Sequence, residues 1–153
     1  MLHVWRLFKR KYAASAFTGE GARLVPGRWN SKGVALVYAS QSAALAVLEM
    51  YVNLDAAPPT DDYCLAEATF DESLLTAITA KGLPKNWRSY PAPHELRKIG
   101  DDWILSGKSA VLRVPSAIVE LECNFLLNPA HPDFRKIKIG VPVPFRFDSR
   151  LMK

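Results

Sequence analysis

Signatures for metals, nucleotides and nucleophilic serines are missing from this chain. Its 153 residues contain no P-loop, no Gly-x-Gly-x-x-Gly, no His-Glu-x-x-His and no Gly-x-Ser-x-Gly. Histidine is scarce, and His3, His94 and His131 lie far apart, so metal catalysis is not expected. Cys64 and Cys123 stand alone, outside any Cys-x-x-Cys or metal-type spacing. They read as reduced thiols filling small core sites. No apolar run is suited to crossing a membrane, because the stretch 33–54 is interrupted by Ser40, Gln41, Ser42, Glu49 and Asn53. The first twelve residues carry Arg6, Lys9, Arg10 and Lys11 with no apolar core behind them. No secretory signal is expected, and a cytoplasmic location is.

What is present describes an ordinary globular chain, 49% hydrophobic and 23% charged. A single domain over 1–153 is expected, large enough to bury a core without staples. The formal charge is +5 and the pI about 9.3. Such a balance suits nucleic acid, an acidic protein or a phosphorylated small molecule equally, or simply a solvated basic face.

The pattern along the chain mixes strands and helices. Val4–Phe8 reads as a strand, followed by a loop holding Gly19, Gly21 and Gly27. The β-branched and apolar run Val34–Ala39 predicts a buried strand. Ser40 is then expected to cap a helix over Gln41–Asn53, apolar on nearly every face and therefore buried, and ended by Ala56-Ala57-Pro58-Pro59. Tyr63–Phe70 alternates as a strand, and Leu74–Leu83 is ambiguous. Leu96, Ile99, Trp103 and Ile104 have helical spacing within His94–Leu105. Val111–Val114 and Ile118–Leu121 read as strand broken at Pro115-Ser116, and Asn124–Leu127 as strand ended by Asn128-Pro129. Lys136–Val141 and Val143–Phe147 are the last strands, with Pro142 and Pro144 suggesting an edge. The expected class is a single α+β domain, a mixed or antiparallel sheet with flanking helices.

Glu49 is the one charged side chain between Lys32 and Asp55, set among Ala43, Leu45, Val47, Leu48, Met50 and Val52. An unpartnered polar group in apolar surroundings costs roughly 2–7 kcal/mol. A cation or a donor must therefore meet it, or the acid is kept for chemistry. Arg28, in Gly27-Arg28-Trp29-Asn30, is the nearest distinctive cation upstream. A glycine beside a planar fork suits close approach to a phosphate pair, and equally a tight turn with a surface arginine. Tyr38 offers a ring for stacking or packing and a hydroxyl for donation. Ser116 sits at a forced strand break. Asn124, Asn128 and His131 surround another, where an Asx turn is the simplest role.

The order and wording of these segments are more specific than any one of them. Gly27-Arg28-Trp29-Asn30, then Tyr38-Ala39-Ser40 leading to Leu48-Glu49, then Arg113-Val114-Pro115-Ser116, then Asn124 and Asn128-Pro129-Ala130-His131 together resemble the RES domain family. The similarity runs from Arg6 to the Phe147-Asp148-Ser149-Arg150-Leu151 tail. The family is named for an arginine, a glutamate and a serine, here matching Arg28, Glu49 and Ser116, with Ser109 as the alternative serine. The resemblance implies a fold similar to ADP-ribosyltransferases and a toxin of a bacterial toxin–antitoxin pair that depletes NAD. Arg28, Tyr38 and Glu49 would be catalytic. Arg28, Tyr38, Ser116 and Asn124 would contact NAD, and Arg6 would assist at the phosphates.

NAD would be a substrate, with no separate cofactor and no metal. The acceptor stays open among water, phosphate and a macromolecule. The implied partner is an antitoxin with a helix-turn-helix DNA-binding part, so nucleic-acid binding is expected of the partner and not of this chain. A homo-oligomer inside the toxin–antitoxin complex is compatible with the resemblance. Two rival readings come from other classes. A ribonuclease toxin would bind RNA through Lys9-Arg10-Lys11 and Lys136/Lys138, and a binding module would use Arg28 and Glu49 as a structural pair.

Overall fold

The computed structural model describes residues 1–54 and 62–152. Eight strands form one mixed sheet: β1 (Leu2–Lys9), β2 (Val37–Ser40), β3 (Tyr63–Phe70), β4 (Leu75–Ala77), β5 (Val111–Pro115), β6 (Cys123–Leu127), β7 (Lys138–Ile139) and β8 (Val143–Phe145). Their order is β4-β5-β6-β2-β1-β3-β7, with β8 sharing the β3 edge. Among the described residues only β4 and β5 run parallel. Among the described residues three α-helices accompany the sheet: α1 (Glu20–Leu24), α2 (Ala43–Tyr51) and α3 (His94–Ser106).

Alternation along the central strands sorts side chains to two buried faces. Phe125 and Leu127 join Val4, Val37, Ala39 and Phe70 on one face. Leu126, between them, joins Leu112, Val114, Trp29, Leu96 and Trp103 on the other, under α3. A strand buried on both sides reads as a continuous apolar run, which is why β5 and β6 were legible as strands. Tyr38 pairs with Leu126 and Ser40 with Asn124. All four therefore face the α3 side.

β1 and β2 pair at Trp5 and Ser40 alone. Beyond that point Arg6 replaces the ladder, donating from Nη1 to the Tyr38 carbonyl at 2.9 Å and from Nε to Ala16 O at 2.7 Å. Sheet neighbours that separate leave backbone carbonyls to satisfy, and a buried arginine does so here. Burial lowers the Arg6 pKa to about 10, which still leaves it charged at neutral pH.

Several expectations need correction. The β2 strand begins at Val37 instead of Val34. Ser42, not Ser40, caps α2, its hydroxyl accepting from Leu45 N–H at 3.0 Å. Ser40 is unavailable for that task because its hydroxyl reaches across the sheet to Asn124. The α2 helix is not buried all round: Leu45 and Ala46 are enclosed, whereas Leu48 and Tyr51 are each 37% exposed. A helix lying on one sheet face buries only one stripe, whatever its composition. Residues 118–121 form no strand, since Ser116 turns the chain there and Leu121 is exposed. The ambiguous 74–83 segment holds β4 between two short 3₁₀ turns. The glycine-rich loop contains α1. The 56–59 breaker lies outside the described residues. Cys64 is buried, Cys123 is partly so, and both are free.

Candidate active site

A cleft of about 680 Å³ opens where β1 and β2 separate. Its wall includes Glu49 from α2, Arg97 from α3, Tyr38 and Ser40 from β2, Asn124 from β6, and the loop bearing Arg28. The two residues that sequence reasoning could not place relative to each other, Arg28 and Glu49, line this one cleft.

Glu49 Oε1 accepts from the Ser116 hydroxyl at 3.0 Å and from Asn124 Nδ2 at 2.6 Å. A carboxylate only accepts, so the Asn124 amide must present its nitrogen to it. Its carbonyl oxygen then accepts from the Ser40 hydroxyl at 2.8 Å, which holds the amide in that orientation. Among the described residues nothing donates to Oε2. The acid is thus pinned through one oxygen with the second unengaged. Two neutral donors, not an ion pair with Arg28, answer the question its apolar setting raised.

Ser116 is fully buried. Besides donating to Glu49, its oxygen accepts from the Ile118 and Val119 amides, each at 3.1 Å. That saturates a hydroxyl, and Ser116 stands behind the carboxylate instead of on the cleft wall. In this geometry Ser116 orients Glu49, whereas the family resemblance implied contact with NAD. Ser109 is engaged elsewhere, with Thr76, Trp103 Nε1 and the Val111 carbonyl, and touches no part of the cleft.

The Arg28 loop is built around Asn30, which is completely buried. Asn30 Oδ1 accepts from Gly27 N–H at 2.8 Å and from the Tyr38 hydroxyl at 2.6 Å. Its amide donates to the Ala22 and Val34 carbonyls at 2.7 and 3.0 Å. Tyr38 also accepts from Trp29 N–H at 3.0 Å. Gly27 permits this approach, because a Cβ there would fall 2.7 Å from the Tyr38 hydroxyl oxygen. Burial pushes the Tyr38 phenol well above its ordinary range. It stays neutral, a donor and a packing surface and not a base.

Arg28 donates from Nη1 to the carbonyls of Trp87 and Ser89, both at 2.9 Å. Burial lowers its pKa, opposed by the charge of Glu49. Arg28 and Glu49 thus share the cleft without a direct hydrogen bond between them.

Other singled-out residues lie outside the cleft. Asn128 closes an Asx turn on Ala130 N–H at 3.0 Å, and His131 caps the next turn on Asp133 N–H at 3.0 Å. His94 is exposed on α3. His3 pairs with Glu67 at 2.6 Å on the exposed sheet face, a contact made by the β1–β3 register and absent from any local motif. Sequence reasoning missed Arg88, Tyr90 and Arg97, which all line the cleft. Arg88 and Tyr90 come from an irregular loop with no periodic signal. Arg97 adjoins buried Leu96 on α3, a position that a sequence pattern assigns to solvent. Among the described residues no group of three or more His, Cys, Asp or Glu could hold a metal ion, and no helix is long and apolar enough to cross a membrane.

Comparison with known proteins finds both sequence relatives and a structural neighbour. The RES domain model matches residues 3–148. The chain is 39% identical over 149 residues to Toxin Res of Yersinia enterocolitica, covering 97% of this chain and 98% of that protein. It is 40% identical over 154 residues to the Prs ADP-ribosylating toxin of a Sphingobium species, with coverage of 97% and 96%. The fold matches a chain in the crystal structure of the M. tuberculosis MbcT–MbcA toxin–antitoxin complex, with a TM-score of 0.77 at 17% identity, over 94% of this chain and 84% of that one.

Proposed function

This chain belongs to the RES domain family, and from that premise we propose that it is the toxin of a toxin–antitoxin pair and cleaves the nicotinamide–ribose bond of NAD. One observation carries the reading: Glu49, held through Oε1 by Ser116 and Asn124, lies on the wall of an arginine-lined cleft. Nicotinamide leaves a cationic ring as a neutral molecule, taking the C1′–N electron pair, so the leaving group needs no protonation. The demand falls on the ribose, where positive charge develops. A carboxylate with one oxygen fixed can offer the other to ribose hydroxyls and to that charge. The acceptor oxygen then bonds to C1′. Water as acceptor gives up its proton to Glu49 or solvent, and phosphate would take the same place in a phosphorylase.

Arg28 serves the phosphates and Tyr38 packs against the nicotinamide half, while Ser116 and Asn124 orient the acid. NAD is consumed as substrate in a cytoplasmic reaction, with no further cofactor. The partner is an antitoxin, with a helix-turn-helix DNA-binding part, that occludes the cleft. The toxin names of the relatives and the toxin–antitoxin complex that shares the fold support this partnership.

Transfer of ADP-ribose to a macromolecule is the second reading, favoured by the relative whose name is Prs ADP-ribosylating toxin. Purified protein incubated with NAD in buffer alone, with inorganic phosphate, or with a protein extract separates the readings. Nicotinamide release in buffer alone supports hydrolysis, and release that requires phosphate supports phosphorolysis. Release only when a protein extract is added, with label from adenine-labelled NAD moving to protein, selects transfer. Intact NAD under all three conditions would sink the proposal.

A further inference from the structure

Glu49 is the single acid among the described residues lining the cleft, facing Arg6, Arg28, Arg88 and Arg97. Three of those arginines have donors committed to the protein. Arg6 bonds the Ala16 and Tyr38 carbonyls, Arg28 those of Trp87 and Ser89, and Arg88 pairs with Glu120 and the Ala117 carbonyl. Arg97 differs. Its Nε is shut off from solvent, and no acceptor among the described residues meets it. Asp101, one helical turn further along α3, is occupied by Ser31 N–H at 2.9 Å.

The position of Arg97 is fixed by its neighbours. Leu96 is completely buried, and Gly100 lies so close to the Arg28 loop that a Cβ there would come 1.7 Å from the Trp29 carbonyl oxygen. Arg28, Tyr38 and Arg97 line the same cleft. Buried donors in native folds are nearly always met. Arg97 thus stands on a fixed stretch of α3 and lines the cleft with no acceptor for its Nε among the described residues, and in a cleft with surplus positive charge such a guanidinium is matched by an anionic oxygen supplied by a ligand.

Resting on the reading that NAD is the substrate, we propose that Arg97 binds a phosphate oxygen of the dinucleotide pyrophosphate, acting with Arg28 as a two-armed anion clamp. Glu49 serves the ribose, Arg28 and Arg97 the two phosphates. The cleft accordingly selects pyrophosphate-bearing nicotinamide compounds over the phosphate-free nicotinamide nucleoside.

ADP, which carries the pyrophosphate without nicotinamide, tests this against adenosine, which carries neither. Calorimetric titration of the wild-type chain and of Arg97→Gln should show ADP binding weakened tenfold or more, with adenosine binding changed less than twofold. NAD turnover in the variant should show a raised KM with kcat kept. Its Tm should not fall, because the substitution removes an unmet donor and no bond. Arg97→Lys keeps the charge without the planar fork and should bind ADP with intermediate affinity. Equal ADP affinity in wild type and Arg97→Gln, no ADP binding to the wild type, or an equal loss for adenosine would each overturn the clamp. Should Arg97→Gln not fold, undiminished ADP affinity in Arg97→Lys overturns it instead. Arg97-dependent ADP binding by a protein that never releases nicotinamide would remove the cleavage reading and leave the phosphate site standing.

Discussion

Asn124 and Asn128 lie four residues apart at the two ends of β6, yet they do different things. Asn124 bonds two residues from other elements, Ser40 and Glu49, and lines the cleft. Asn128 is buried and turned back on its own chain, closing an Asx turn on Ala130. Residue type and local setting are nearly the same. The difference is whether the side chain is satisfied by its own backbone or by a distant acid. Local satisfaction stabilises a turn, and long-range satisfaction of a carboxylate at an open cleft makes a site.

That contrast can be broken most severely at Glu49. Glu49→Gln keeps size and one acceptor oxygen but removes the charge at the ribose. Nicotinamide release should fall by a factor on the order of 10²–10³, the cost of losing one transition-state electrostatic contact, with NAD binding largely retained. Full turnover in a folded Glu49→Gln protein would show that the carboxylate is structural.

Paired alanine substitutions sharpen the comparison. Asn124→Ala should lower kcat at least about tenfold through loss of the contact that orients Glu49, in line with the roughly 1.5–3 kcal/mol of a hydrogen bond to a charged group. Asn128→Ala should leave kcat per folded molecule unchanged. It should instead lower Tm by about 2–6 °C, since losing a buried bond costs about 1–2 kcal/mol in a chain of this size. Thermal melts and single-turnover assays on both variants would check this, and interchanged effects would refute the division.

Ser40→Ala is the mildest test. Without the Ser40 hydroxyl the Asn124 amide can flip, and kcat should fall only a few-fold, because Ser116 still holds Glu49. A loss as large as that of Glu49→Gln would mean that Ser40 itself contacts substrate.

Much of this molecule was readable from the chain, for identifiable reasons. The strand at Tyr63–Phe70 and the helix read over His94–Leu105, observed as His94–Ser106, were legible because period and length agree with their element type. Lone Glu49 was conspicuous because charge in an apolar run is costly. The order of the Arg28, Tyr38, Glu49 and Ser116 segments was specific enough to carry a family resemblance that the family model bears out.

Tertiary structure alone decided what meets Glu49. Its donors, Ser116 and Asn124, stand 67 and 75 positions away, and the register of β2, β5 and β6 brings them to α2. It also decided that Ser42 caps α2 while Ser40 serves the site, since two nearby serines have equal local claims to a helix end. The unmet N–H of Arg97 belongs to the same class. Period and propensity act between near neighbours, whereas hydrogen-bond satisfaction in a cleft depends on which distant strands pair, and in what register.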